Sequence, residues 1–195
     1  MNHIKELKKF NNTYYVIRHG QSRANIKKLI MSNPKYAVKN YGLSEVGKQQ
    51  ARDSIKANKD LDKNTIIYSS DFKRARETAE IVRAHIKAKP IIFSKNLRER
   101  YFGKYDRTAD KNYDKVWELD IKDKPLGDIE SVYSVADRAT RLVLDLEKKY
   151  KGKRIVLAAH GDIVNILLTC FNKKDPKYHH TLFSLKTAEI RKANK

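Results

Sequence analysis

Two histidines and two arginines stand just past β-forming runs in three separate parts of the chain. Arg18-His19-Gly20-Gln21-Ser22, with Asn25 shortly beyond, follows Thr13-Tyr14-Tyr15-Val16-Ile17. Ser69-Ser70-Asp71, with Arg74 close behind, follows Thr65-Ile66-Ile67-Tyr68, and His160-Gly161-Asp162 follows the run from Arg154 to Ala159. Taken singly, a histidine at a strand end is commonly structural, and an arginine in a first helical turn commonly faces solvent. Together they suit a phosphoryl group. Guanidinium forks bind phosphate oxygens in pairs. A neutral imidazole can attack phosphorus in line, giving a phosphohistidine that water then hydrolyses. Neighbouring arginines disfavour a charged imidazole and so keep the nucleophile neutral, and Gly20 lets the backbone pass close to a ligand.

Such chemistry also requires an acid to protonate the leaving alkoxide. Leu97-Arg98-Glu99-Arg100, after Pro90-Ile91-Ile92-Phe93, offers Glu99. An exposed glutamate is ionised at neutral pH, so Glu99 fits this task only if burial or a bound phosphate holds its proton. The residues alone leave open the other reading, a surface ion pair with Arg98 or Arg100.

The elements that must position these groups follow from periodicity. Strands are predicted at 13–17, 65–68, 90–93 and 154–159, and a final one from Leu182 to Ile190. Helices are predicted over 45–58, with Ser44 as N-cap and Gly47 as a weak point, and from Ser69-Ser70-Asp71 as a cap to about His85. Others are predicted near 113–119, over 131–150 with Val132, Val135, Ala139, Leu142, Val143 and Leu146 on one side, and over 162–171. Strands alternating with helices imply a largely parallel sheet covered on both faces, with ligands beyond the carboxyl ends of its strands.

With these residues in place, the chain resembles the histidine phosphatase superfamily, the phosphoglycerate mutase-like proteins. Tyr15-Val16-Ile17-Arg18-His19-Gly20-Gln21-Ser22 with Asn25 is similar to the family's signature. Leu43-Ser44-Glu45-Val46-Gly47, Tyr68 to Ala75 with Thr78-Ala79, Leu97-Arg98-Glu99 with Phe102-Gly103, and Val156 to Gly161 resemble its further motifs, in family order. The resemblance implies a three-layer α/β/α sandwich with a mostly parallel central sheet. It implies that His19 is the nucleophile, that Arg18, Arg74 and His160 complete the phosphate pocket, and that Glu99 is the proton donor. Ser22, Asn25 and Gly161 would be secondary phosphate or substrate contacts. No metal and no cofactor are implied, and the neighbouring pair His179-His180 is read as loop or strand structure.

The departures bear on substrate. Lys104-Tyr105-Asp106-Arg107 replaces an aromatic-Glu-Gly stretch, and Gly127-Asp128-Ile129-Glu130-Ser131 carries two residues inserted into a Gly-Gly-Glu-Ser element. Lys39-Asn40-Tyr41-Gly42 stands where Asp-x-Pro is usual. The expectation is hydrolysis of a small phosphorylated metabolite. A cofactor-dependent phosphoglycerate mutase and a protein phosphatase are the alternatives, and a non-catalytic phosphate- or nucleic-acid-binding module comes last. The mutases carry a longer insertion after the acidic residue than this chain has. Arg23, Lys27, Lys28, Lys104 and Arg107, in the segments bordering the pocket, could hold a second anionic group.

The whole chain of 195 residues is read as one domain, with lid-like excursions at about 30–42 and 104–128. Its net charge of +20, from 43 basic and 23 acidic residues, favours anionic ligands. The lysines are spread along the chain with no nucleic-acid motif, so no specific nucleic acid is expected. No apolar run is long enough to span a membrane, and no apolar signal core follows the polar first residues. The single cysteine, Cys170, lies in an apolar helix face and suits a packing role in a reducing, cytoplasmic setting.

Overall fold

The computed structural model describes residues 1–124 and 127–194. β1 (Thr13–Arg18) is followed by two single-turn helices, α1 (Arg23–Ile26) and α2 (Pro34–Ala37), and by α3 (Glu45–Ala57). β2 (Ile66–Ser69), α4 (Lys73–Ile86) and the two-residue β3 (Ile92–Phe93) come next. Beyond them lie α5 (Asn112–Ile121), α6 (Val132–Lys149), β4 (Arg154–Ala159) and α7 (Gly161–Phe171). α8 (His179–Leu182) and β5 (Ile190–Lys192) complete the chain.

The strands form one sheet in the order β3-β2-β4-β1-β5, parallel except for β5, which runs antiparallel along β1 at the edge. β1 is apolar at consecutive positions because helices cover both of its faces. Tyr14 and Val16 join Ile155, Leu157 and the inner sides of α6 and α7, while Tyr15 and Ile17 join Val156, Ala158 and the side packed by α3 and α4. This is the three-layer α/β/α arrangement expected from the sequence. The α6 stripe from Val132 to Leu146 is buried as its spacing requires, and each such aliphatic side chain contributes about 1.5–3 kcal/mol. Cys170 is a free, fully buried thiol in the same core.

Strand register brings the candidate residues to one level. Arg18 pairs with Ala159 and Ser69 with Ala158, so the residues just beyond β1, β2 and β4 emerge side by side. Backbone bonds extend the alignment, with the His19 N–H donating to the Ala159 carbonyl at 3.0 Å and the Ser70 N–H to the Ala158 carbonyl at 2.9 Å.

Three local expectations are corrected. Ser69, Ser70 and Asp71 do not cap α4, whose N-cap is Phe72 with no side-chain bond; Ser70 Oγ instead accepts from the Phe72 N–H and meets His160, while Asp71 pairs with Arg98. The final strand is Ile190–Lys192 rather than Leu182–Ile190, because residues 183–189 pass over the end of β1. There the Leu185 carbonyl accepts from Arg18 Nη1 and the Ala188 N–H donates to the His19 carbonyl, which leaves no ladder to build. His179 and His180 begin α8 and are not strand residues.

The excursions at 30–42 and 104–128 are joined at their bases. The Ile30 N–H donates to the Thr108 carbonyl at 2.9 Å, the Arg107 N–H to the Ile30 carbonyl at 2.7 Å, and the Asp110 N–H to the Lys28 carbonyl at 2.9 Å. Ile30, Phe102, Val116 and Ile129 make a small apolar cluster beneath them. Pro125 and Leu126, inside the second excursion, lie outside the described residues.

Gly47 has a physical reason to stand in the first turn of α3. A side-chain carbon there would overlap the backbone of Gln21, and one on Gly20 would overlap the Gly47 carbonyl. The turn carrying His19 therefore lies directly on the helix. Gly47→Ala is expected to lose roughly 1–3 kcal/mol, the range for overpacking a tight contact, despite alanine's better helix propensity. Denaturant unfolding checks this, and a gain in stability would contradict the close approach.

Candidate functional site

His19 is 4 % exposed at the end of β1, with both ring nitrogens engaged. Nδ1 lies 2.7 Å from the carbonyl oxygen of its neighbour Gly20, and Nε2 lies 2.9 Å from Arg74 Nε. A carbonyl can only accept and a guanidinium can only donate. Nδ1 therefore carries the hydrogen and Nε2 the lone pair. Burial, then the charges of Arg74 and Arg18, hold the imidazole well below its ordinary range. The result is a buried, neutral imidazole with a fixed tautomer.

Arg74 emerges from the first turn of α4 and is buried, against the solvent-facing habit of such positions. Its Nη2 donates to the Met31 carbonyl at 2.8 Å and its guanidinium lies over the Phe72 ring. Arg18 donates from Nη1 to the Leu185 carbonyl at 2.7 Å. His160 stands behind His19 with ring centroids 5.3 Å apart, its Nε2 2.9 Å from Ser70 Oγ. Burial, with Arg74 next, keeps it neutral as well.

Among the described residues, the buried side-chain polar atoms without a protein partner are Arg18 Nε, Arg74 Nη1, His160 Nδ1, Asn165 Oδ1 and His179 Nε2. Such groups are rare in folded proteins and costly, roughly 1–3 kcal/mol each. Arg18, Arg74 and Asn165 line one cavity, while His160 packs against His19 and His179 lies 3.5 Å from Asp162.

Glu99 is 7 % exposed, and its Oε1 accepts from the Arg100 N–H at 3.0 Å. Neither flanking arginine pairs with its side chain. Arg98 grips Asp71 at 2.6 and 2.8 Å, and Arg100 grips Asp120 at the same two distances. Burial and the charge of Asp162 raise the Glu99 carboxyl to about 7, against the opposing pull of Arg74 and Arg18. A carboxyl poised near neutrality can donate a proton and take one back.

Arg18, His19, Arg74, Glu99, Ser22, Asn25 and Gly161 line one cavity of about 400 Å³. Ser22 and Asn25 are joined as a reciprocal cap of α1, with the Ser22 N–H and Oγ each 2.9 Å from Asn25 Oδ1. That leaves the Asn25 amide nitrogen for a ligand.

None of Arg23, Lys27, Lys28, Lys104 and Arg107 lines this cavity, which corrects the second-anion expectation. Arg23 and Lys27 border a separate cleft on the other side of α1 with Lys48 and Lys73, Lys104 lies over the Tyr105 ring, and Arg107 lies over the Tyr36 ring. All five side chains are exposed, and within the excursions the inner side is taken up by the apolar cluster and by Asp106, which accepts from Ser32 and the Asn33 N–H.

The sequence reading missed the wall opposite the phosphate residues, which is made by Asp110, Lys111, Tyr113, Asp114, Trp117, Asp162, Asn165 and His180. His180 stacks on Trp117, with ring centroids 3.6 Å apart. One signal was available: Asp162 and Asn165 sit three residues apart in an otherwise apolar helix, the spacing of one helical face. Among the described residues no cluster of three or more His, Cys, Asp or Glu is arranged to hold a metal ion. No described helix is long and apolar enough to cross a membrane.

This geometry agrees with comparison to known proteins. The profile of the histidine phosphatase superfamily (branch 1) matches residues 14–193, so the chain belongs to that family. Phosphoglycerate mutase-like protein 4 of Arabidopsis thaliana is 29 % identical over 160 residues, covering 78 % of this chain and 67 % of the relative. The metal-independent phosphoserine phosphatase of the same plant is 26 % identical over 160 residues, covering 78 % of this chain and 65 % of that one. The solved structure of Bacillus stearothermophilus YhfR superposes with a TM-score of 0.77 at 22 % identity, over 92 % of this chain and 89 % of its own.

Burial of His19 and His160 in neutral form has a sign that can be tested. Below about pH 6.5 the unfolded chain binds protons at these positions that the folded chain refuses, so their contribution to stability falls as pH drops. Nitrogen-15 NMR is expected to find both rings neutral at pH 5.5, and His160→Gln is expected to flatten the acid loss of stability relative to wild type. Protonation of either ring near pH 6.5 would contradict the burial described above.

Proposed function

We propose that the protein is a metal-independent phosphomonoester hydrolase acting through phosphorylated His19, with the whole chain forming one catalytic domain. The observation that carries this reading is the set of unpaired nitrogens on Arg18, Arg74 and His160 beside a neutral imidazole. Their hydrogen-bonding needs match the oxygens of a tetrahedral anion, and charge stabilisation at those oxygens is the larger part of phosphoryl-transfer catalysis. The name of the metal-independent phosphoserine phosphatase agrees with it.

In the first half-reaction, His19 Nε2 forms a bond to phosphorus as the ester P–O bond breaks, and Glu99 gives its proton to the departing alkoxide. Arg74 Nε, which occupies the Nε2 lone pair at 2.9 Å, turns to a phosphate oxygen and frees it. In the second, ionised Glu99 takes a proton from water as the water oxygen bonds to phosphorus and the P–N bond breaks. Inorganic phosphate leaves, and both residues return to their starting states.

The substrate is a small phosphorylated metabolite. The joined excursions act as a fixed lid over a cavity too confined for a folded phosphoprotein. The wall beyond Glu99 carries Asp110, Asp114 and Asp162 against Lys111, which argues for a single phosphate over a bisphosphate. No nucleic acid and no membrane take part, and a buried free thiol at Cys170 suits the cytoplasm.

Phosphate release from an ester panel, with chelator present, tests this reading. Wild type is expected to turn over, and His19→Ala to lose at least about a thousand-fold through loss of the nucleophile. Bisphosphates are expected to give no advantage in kcat/KM over monoesters. Absence of hydrolysis together with primer-dependent phosphoglycerate isomerisation would replace the proposal with a mutase.

Glu99→Gln is expected to cut alkyl phosphate turnover by roughly 10²–10⁴-fold. p-Nitrophenyl phosphate should suffer far less, because its leaving group departs without a proton. Equal losses on both substrates would remove Glu99 from the acid role.

A further inference from the structure

Beside the cavity lies a polar cluster that hydrolysis as described above does not use. Arg100, fully buried, connects two carboxylates and Glu99: its backbone N–H donates to Glu99 Oε1 at 3.0 Å, its guanidinium forks onto Asp120 at 2.6 and 2.8 Å, and Nη1 reaches Asp162 Oδ2 at 3.5 Å. Asp162 is also held by Trp117 Nε1, 3.1 and 3.3 Å from its two oxygens. His179 Nε2 lies 3.5 Å from Asp162 Oδ2. Arg100 thus pairs with Asp120 through a fork and meets Asp162 through one longer contact. Asp162 is 4 % exposed and lines the cavity together with Glu99.

We propose that Asp162 is a positioning residue for the proton donor: a fixed buried carboxylate whose negative charge keeps the proton on Glu99 until the ester bond breaks. The inference rests on the hydrolytic reading above and deepens it. Every other charge near Glu99 can be placed. Arg18 from β1 and Arg74 from α4 pull its proton away, as does the Arg100 N–H. Arg138 from α6 touches only the Glu99 backbone carbonyl, at 3.4 Å, and is itself matched by Glu130. The Tyr113 hydroxyl from α5 is kept neutral by burial. His19 and His160 are neutral, and Asp110, Lys111, Asp114 and His180 line the outer part of the same cavity.

Two arginines that serve the phosphate would by themselves leave Glu99 ionised and useless as an acid. Asp162 is the buried negative charge that opposes them. Burial alone would raise its own carboxyl, but His179, then Arg100 and Trp117, hold it below the ordinary range, so it stays charged where Glu99 does not.

The test is the alkaline limb of kcat/KM for an alkyl phosphate, which reports groups of the free enzyme. Asp162→Asn keeps an acceptor for Trp117 and Arg100 but removes the charge. Its limb is expected to move about one pH unit lower, so that above neutrality the variant falls roughly ten-fold behind wild type. p-Nitrophenyl phosphate, which needs no acid, should be little affected. Asp162→Glu should restore the limb.

An unmoved limb in Asp162→Asn, or an equal change in the p-nitrophenyl phosphate profile, would overturn the proposal and leave Asp162 a structural partner of Arg100. Should Asp162→Asn fail to fold, carbon-13 carboxyl NMR on wild type decides. Glu99 is expected to titrate near 7 while Asp162 remains ionised, and a protonated Asp162 at pH 7 refutes the idea. The NMR outcome stands apart from turnover, so an inactive wild type would defeat the hydrolase reading without deciding this one.

Discussion

Two guanidinium groups buried around a neutral imidazole form the interaction on which the rest of the structure depends. Like charges gathered in a low-dielectric interior repel, and each gives up hydration that protein contacts only partly restore. Arg74 is anchored by the Met31 carbonyl and His19, and Arg18 by the Leu185 carbonyl, yet each keeps a buried nitrogen with no protein partner. That arrangement is unfavourable for an empty protein and favourable once an anion lies between the forks. In the proposed function that residual cost is complementarity held for the phosphate, as pre-organised sites require.

Holding such a site open is the work of the frame. Parallel register places Arg18 beside Ala159 and Ser69 beside Ala158, which fixes the spacing of the three segments to within a strand separation. The Gly20–Gly47 approach seats the nucleophile's turn on α3, and residues 183–189 give up strand structure to cover Arg18 and His19. The irregular stretch and the glycine inside a helix both weaken local regularity next to the chemistry. Violations of local preference concentrated at one place are the expected mark of a functional site.

How much of this was legible in the sequence divides along the same physical line. Residues fixed by backbone topology were readable: a β-forming run predicts a strand end, and His19, Arg18, Arg74 and His160 follow strand ends. The α6 stripe and the Ser44 cap were readable because a 3.6-residue period and a capping hydroxyl are local properties. Side-chain destinations were not. Arg107 is cationic and near the pocket in sequence, but its excursion closes inward on Asp106 and on the apolar cluster of Ile30, Phe102, Val116 and Ile129, assembled from distant segments, while Arg23 and Lys27 border the cleft shared with Lys48 and Lys73. Asp162 was visible at the strand end, but its surroundings were not, because its partners Arg100, Trp117 and His179 come from elsewhere in the chain.

The deeper constraint is that one cavity must hold two titratable groups away from their ordinary ranges by different means. His19 must lose its proton and Glu99 must keep one, yet the positive charges of Arg18 and Arg74 favour proton loss at both. A uniform positive field would therefore produce a good nucleophile and a poor acid. Burial resolves part of the conflict, because it favours the neutral form of each group: it lowers the imidazole and raises the carboxyl. The remainder calls for a negative charge on the Glu99 side only. In the mechanism proposed above Asp162 meets that need from the first turn of α7, one residue beyond the Gly161 that follows His160, so the strand that brings His160 against His19 also delivers the carboxylate proposed to oppose the arginines. Pairs of groups driven in opposite directions are how a single site performs acid and nucleophilic chemistry at neutral pH.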